Sequence, residues 1–226
     1  MNKNFYNYAD LIIGNIEGGY YSPVRHYSAA MGKSGETMFG MDRIWGGSDI
    51  NDSASGKKFW SLVDANSASW PYNYKGGSTG NKLKRLAAEM MYNRYKKYSK
   101  LYLSAKAQKL VDKSQKLQIH FFYACWNGAG YFKQFASDIN TAVAKGEKDL
   151  KKLQDVAINS RLRHSVALIR KGGNKMLNIW SKMKDTPDYA KIVFWCVMAA
   201  VIIGTGIYFR KEIAGVWRKI ISSPKC

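Results

Sequence analysis

Among the 16 acidic residues of the chain, Glu17 has the sequence surroundings of a proton donor. It follows a run in which Phe5, Tyr8, Ala9, Ile12 and Ile16 recur at three- and four-residue intervals, the period of one helix face, and Gly18-Gly19 then stop the pattern. Glu17 therefore falls at a helix C-terminus, facing the negative end of the macrodipole, where cover from Tyr20 and Tyr21 would also strip water from it. Both effects favour the uncharged acid. A carboxyl still protonated near neutral pH can hand its proton to a leaving oxygen, which is the requirement of glycosidic cleavage.

Other chemistry is less well served. Cys125, Cys196 and Cys226 have no spacing that suggests a zinc site, a redox motif or a disulfide framework, so neither metal nor cofactor is expected. His120 and His164 lie on helical segments and receive no role. Aromatic residues of the loop-rich half, Trp45, Trp60, Trp70, Tyr72 and Tyr74, would suit stacking on sugar rings, although many of the chain's 31 aromatics must be core.

The elements that must position Glu17 are mostly helices. A helix covers residues 4–16. Residues 21–56, rich in Gly, Ser, Asn and Asp, read as loop with a small hairpin that includes Thr37–Phe39, and 66–81 as a second loop. From Lys82 the pattern is helical. Leu117 to Ala136 is apolar nearly all round and predicts the central buried helix, bent near Gly128 and Gly130, with later helices over 136–145 and 148–170. The fold class is mainly α with a small loop and hairpin lobe.

Beyond residue 170 the character changes. Residues 171–191, with Gly172-Gly173, Pro187 and five lysines, read as a basic linker. Ile192–Phe209 is an uncharged run of eighteen residues, about 27 Å as a helix, which matches a bilayer core and predicts a single transmembrane span. The tail, 210–226, is basic and amphipathic, with Ile213, Val216, Trp217 and Ile220 on one side, suited to an anionic leaflet. Flanking charge gives no orientation, because five basic residues stand on each side. No cleavable export signal is evident at the N-terminus.

The net charge of +20 is not confined to the tail: residues 191–226 hold six Lys/Arg and one Glu, which leaves +15 on the rest. The partner is therefore anionic, among phosphate polymers, acidic lipids and cell-wall glycans. A nucleic-acid partner lacks support, since no helix-turn-helix, zinc or RNP-type signature is present.

Ile16-Glu17-Gly18-Gly19-Tyr20, with Gly35-Glu36-Thr37-Met38-Phe39-Gly40-Met41 downstream and Ala124-Cys125-Trp126-Asn127-Gly128 on the apolar helix, resembles the phage-type N-acetylmuramidase endolysins of glycoside hydrolase family 108. The resemblance touches three places between residues 4 and 136 and does not extend to the membrane span. It implies a lysozyme-like helical domain over 1–170 and cleavage of the MurNAc–GlcNAc bond of peptidoglycan with Glu17 as catalytic acid. The implied substrate contacts are Gly18, Gly19 and Gly40, which shape the cleft, with Tyr20, Thr37 and Asn127. It also implies a phage origin, with the protein in a virion or host membrane during entry or lysis and other virion proteins as potential neighbours.

One departure matters. Related lysozymes place a second acid between the catalytic Glu and the threonine, whereas nothing acidic lies between Glu17 and Glu36. His26, Glu36 or the substrate's acetamido group must then take that part. Hydrolysis, lytic transglycosylation and a non-catalytic structural role in a virion remain alternatives.

Overall fold

Tyr8, Ala9, Ile12 and Ile13 lie on one side of Lys3–Asn15 and are almost wholly buried, so this thirteen-residue segment forms α1 as its periodicity requires. The computed structural model describes residues 3–20, 27–28, 33–44, 46–71, 73–75 and 77–183. After α1 come two small antiparallel hairpins. In the first, β1 (Tyr27–Ser28) pairs with β2 (Lys33–Ser34); in the second, β3 (Thr37–Met38) pairs with β4 (Met41–Asp42), with Thr37 opposite Asp42 and Met38 opposite Met41.

Helices account for most of the rest: α2 (Ser48–Asn51), α3 (Ala54–Asn66), α4 (Gly77–Tyr102), α5 (Ala105–Val111), α6 (Gln115–Asn127), α7 (Ala129–Ala144), α8 (Leu150–Leu162) and α9 (Ala167–Ser181). Side-chain caps set several starts: Ser53, Ser104 and Ser114 accept from the amides of Gly56, Ala107 and Leu117, and Asp149 accepts from those of Lys151 and Lys152. The 26-residue α4 is the spine, packing against α1, α3, α6 and α7. Phe121, Phe122, Ala124 and Cys125 of α6 are fully enclosed, as expected of the central helix.

Several boundaries differ from the sequence reading, among them the helix expected over 148–170, which ends at Leu162 before α9 begins at Ala167. The loop assigned to 21–56 contains α2 and the start of α3, and the loop assigned to 66–81 is shorter because a 3-10 turn (Ser67–Ser69) extends α3 and α4 begins at Gly77. The apolar run from Leu117 is two helices rather than one bent helix. Gly128, at φ 91°, breaks it, since a residue in the left-handed region ends a helix instead of bending it. Finally, Lys171 opens no linker: residues 167–181 form α9, which buries Ile169, Met176, Ile179 and Trp180 against the bundle. Gly172-Gly173 looked like a breaker but serves close packing, for a Cβ on Gly172 would stand 2.7 Å from the Tyr123 hydroxyl.

The first of two compact units is Met1–Asp185. The expected span Ile192–Phe209 and the tail lie outside the described residues, and among those described no helix is long and apolar enough to cross a membrane.

Candidate active site

Glu17 stands two residues past α1, its amide donating to Ile12 O at 3.0 Å. The chain is pinned there by two lysines: Lys75 Nζ donates to Glu17 O at 2.9 Å and to Ile13 O at 3.3 Å, and Lys175 Nζ of α9 donates to Ile16 O at 3.1 Å. These ammonium groups satisfy helix-end carbonyls that would otherwise lack partners.

The next residues continue the anchoring. The Gly19 amide donates to Asn73 Oδ1, and a Cβ on Gly19 would overlap the carbonyl oxygens of Asn73 and Tyr74. Tyr20 then bridges Tyr74, exchanging backbone hydrogen bonds with the 73–74 segment. Gly19 thus lets the chain approach the 73–74 backbone closely; Gly18, partly exposed, links it to Glu17.

The second hairpin brings Gly40 against the acid. Phe39 (φ 54°) and Gly40 (φ 73°) form its two-residue turn, both in the left-handed region as a type I′ turn demands. Gly40 has no side chain to spare: a Cβ there would overlap Glu17 Oε2. The turn is held from the other side by Trp126, whose indole Nε1 donates to Phe39 O at 2.9 Å. The three sequence segments that carry the resemblance, around Glu17, Gly40 and Asn127, therefore meet in space.

Cover for the Glu17 carboxyl comes from α6. The Tyr123 hydroxyl hydrogen-bonds it, and the charges facing it are Lys175, Arg161 and Lys75. Burial pushes the carboxyl up to about 7, against the opposing pull of the Tyr123 bond and the three cations. This corrects the physical cause expected from sequence. Tyr20 does not lie on the acid but donates to Glu36 Oε1 at 2.8 Å, Tyr21 is outside the described residues, and the helix-end carbonyls are neutralised by lysines. Tyr123, Lys75, Arg161 and Lys175 were the residues missed; the signal for Tyr123 was a polar group in a largely apolar helix.

The other expected site residues divide. Glu36 is buried and engaged, accepting from Tyr20 and from Arg43 Nη1 at 2.7 Å, while Arg43 also pairs with Asp64. Thr37 is buried on β3. Asn127 ends α6, bonds the Tyr123 hydroxyl through its side chain and accepts from Arg161 Nη1 at 3.0 Å. His26 lies outside the described residues.

Of the aromatic residues, Trp60 is core, its Nε1 bonded to Asn51 Oδ1. Trp70 and Tyr74 are partly exposed and stack at 4.8 Å beside Tyr20. Trp45 and Tyr72 lie outside the description. His120 is fully buried and held neutral, chiefly by burial. Among the described residues no His, Cys, Asp and Glu cluster could hold a metal ion. Two depressions of about 750 and 760 Å³ lie elsewhere, one around Tyr95 and Ser99 and one between α3 and α4.

Comparison of the chain with protein-family models, with curated proteins and with solved structures found no match. The arrangement can be described chemically: a carboxyl near half protonation at neutral pH, fixed by a tyrosine, beside a glycine turn that leaves no side chain over it.

Proposed function

We propose that this protein is a peptidoglycan-cleaving glycosidase in which Glu17 protonates the leaving oxygen of the MurNAc–GlcNAc bond. The observation that carries the reading is the state of Glu17: a half-buried residue whose carboxyl is raised to about 7, at the point where the Glu17, Gly40 and Asn127 segments converge. A general acid works best when its pKa lies near the working pH. The stacked Trp70–Tyr74 pair offers an apolar ring surface against Tyr20, three residues after the acid, and the charge of +20 suits an anionic wall. In this reading Ile192–Phe209 anchors the protein in a virion or host membrane, and the protein is phage-encoded, acting in entry or lysis.

The engagement of Glu36 by Arg43 and Tyr20 favours a single-carboxylate variant of the same reaction. There the substrate's acetamido group, not a second acid, stabilises the oxocarbenium-like centre, as in a lytic transglycosylase. Purified peptidoglycan incubated with the full chain, followed by mass spectrometry of the soluble fragments, separates the outcomes. Reducing-end muramic acid marks hydrolysis and 1,6-anhydro ends mark transglycosylation. No fragments from wild type across several buffers would remove the enzymatic reading in favour of a structural wall-binding role.

A further inference from the structure

Arg161 of α8 is completely buried, and the interactions it makes are few for a cation. Nη1 donates to Asn127 Oδ1 at 3.0 Å, and the guanidinium carbon lies 4.5 Å from the centre of the Tyr123 ring and 4.7 Å from that of Phe135. Nε and Nη2 are enclosed with no hydrogen-bond partner. A buried cation with two idle donors is a poor stabilising device, because an apolar side chain of similar volume often serves folding as well or better.

Its neighbours give it another use. Tyr123, under the guanidinium, bonds both Asn127 and the Glu17 carboxyl, so Arg161, Asn127, Tyr123 and Glu17 form one connected chain across α8, α6 and the end of α1. α9 closes over this chain without crowding it, since Gly172 faces the Tyr123 hydroxyl and Gly173 faces Arg161 Cγ and Cδ. We propose that Arg161 is a positioning residue of the site, a charge shut away from solvent that loosens the hold of Glu17 on its proton.

The groups facing Glu17 support a division of labour. Lys75, from the segment before α4, and Lys175, from α9, are both partly exposed, so mobile ions screen their fields. Tyr123, from α6, is neutral. His120, also on α6 and beside Arg161, is uncharged. Arg161 alone among these cations has no water around it, and its field reaches Glu17 through protein.

The proposal rests on Glu17 being the site's acid, but its readout is the carboxyl itself and requires no turnover. The Glu17 carboxyl carbon is followed by NMR against pH in the full chain, the resonance being assigned by its loss in Glu17→Gln. In Arg161→Met the midpoint rises above its wild-type position and the rise persists in 1 M salt; in Lys175→Met any rise fades at that salt. Arg161→Lys, which keeps the charge, stays closer to wild type. An unmoved midpoint, a rise that salt abolishes, or equal shifts in the Lys and Met variants would overturn the proposal, the last by reducing Arg161 to packing. Should Arg161→Met fail to fold, the reciprocal measurement decides: Glu17→Gln must lower the Arg161 midpoint, itself depressed to about 10 by burial, as read from its guanidinium resonances. Glycan cleavage is scored separately, so its failure and the failure of this proposal are distinct results.

Discussion

Glu17 is subject to opposed forces, and burial prevails. Removal of water favours the neutral acid, while Tyr123, Lys175, Arg161 and Lys75 favour the carboxylate, and the balance leaves the proton bound up to about pH 7. The sign for folding follows directly. Between the ordinary value of 4.5 and about 7 the folded chain holds a proton that the unfolded chain has lost, so the stability this residue contributes is present below 4.5 and lost as pH rises through 7. The loss is on the order of 3 kcal/mol. Urea denaturation of wild type should therefore show stability falling across this window relative to Glu17→Gln, with the variant the more stable above pH 7; parallel pH profiles would contradict the raised value. The position of Glu17 at a helix end was legible in the spacing of Phe5, Tyr8, Ala9 and Ile12. Its cover was not, because Tyr123 is over a hundred residues away and only packing brings it there.

At the scale of elements, the second hairpin is the device that closes on the acid. It is two residues long on each side, too short to stand alone, and is held by Trp126 at its turn and by the Glu36–Arg43–Asp64 network at its base. Gly40→Ala places a methyl group on Glu17 Oε2 and a side chain in the left-handed region, so it should cost about 1–3 kcal/mol and reduce any Glu17-dependent activity together with it. Chemical denaturation checks the first effect; wild-type stability in this variant would mean that the turn does not approach the acid. Trp126→Phe keeps an aromatic ring, though a smaller one, but leaves Phe39 O without its donor, and should cost about 1–3 kcal/mol by the same measurement. Sequence periodicity located α1, the start of the α6 region and the β3 segment, since each has a clean pattern. It missed α2 and most of α9, where Gly, Ser and Lys suggested loop or linker, and left most of α3 unassigned. In α9 the glycines are a packing surface for Tyr123 and Arg161, and a local reading cannot tell a packing glycine from a breaking one.

For the molecule as a whole, the excess of positive charge is the property that a wall or membrane surface would meet first. With 36 Lys and Arg against 16 Asp and Glu, binding to an anionic polymer should be strong at low ionic strength and fall as salt rises, because the screening length shrinks from about 10 Å at 0.1 M to about 3 Å at 1 M. Sedimentation of the protein with purified cell walls at the two salt concentrations checks this. Salt-insensitive binding would show that charge is not what draws the protein to its partner. Mainly helical architecture was legible from composition and period, and so was the excess charge. The meeting of the Glu17, Gly40 and Asn127 segments was implied by the resemblance but not legible in composition or period, since it depends on how α1, the hairpin and α6 pack.

The central claim, that Glu17 is the acid of a glycan-cleaving site, is tested most directly by the rate of fragment release from peptidoglycan for wild type and Glu17→Gln across pH 5 to 9. Wild type should lose activity as pH rises through about 7, where Glu17 gives up its proton. The variant should be slower by on the order of 10²–10⁴-fold at the optimum. A Glu17→Gln variant that releases fragments at the wild-type rate would contradict the assignment outright.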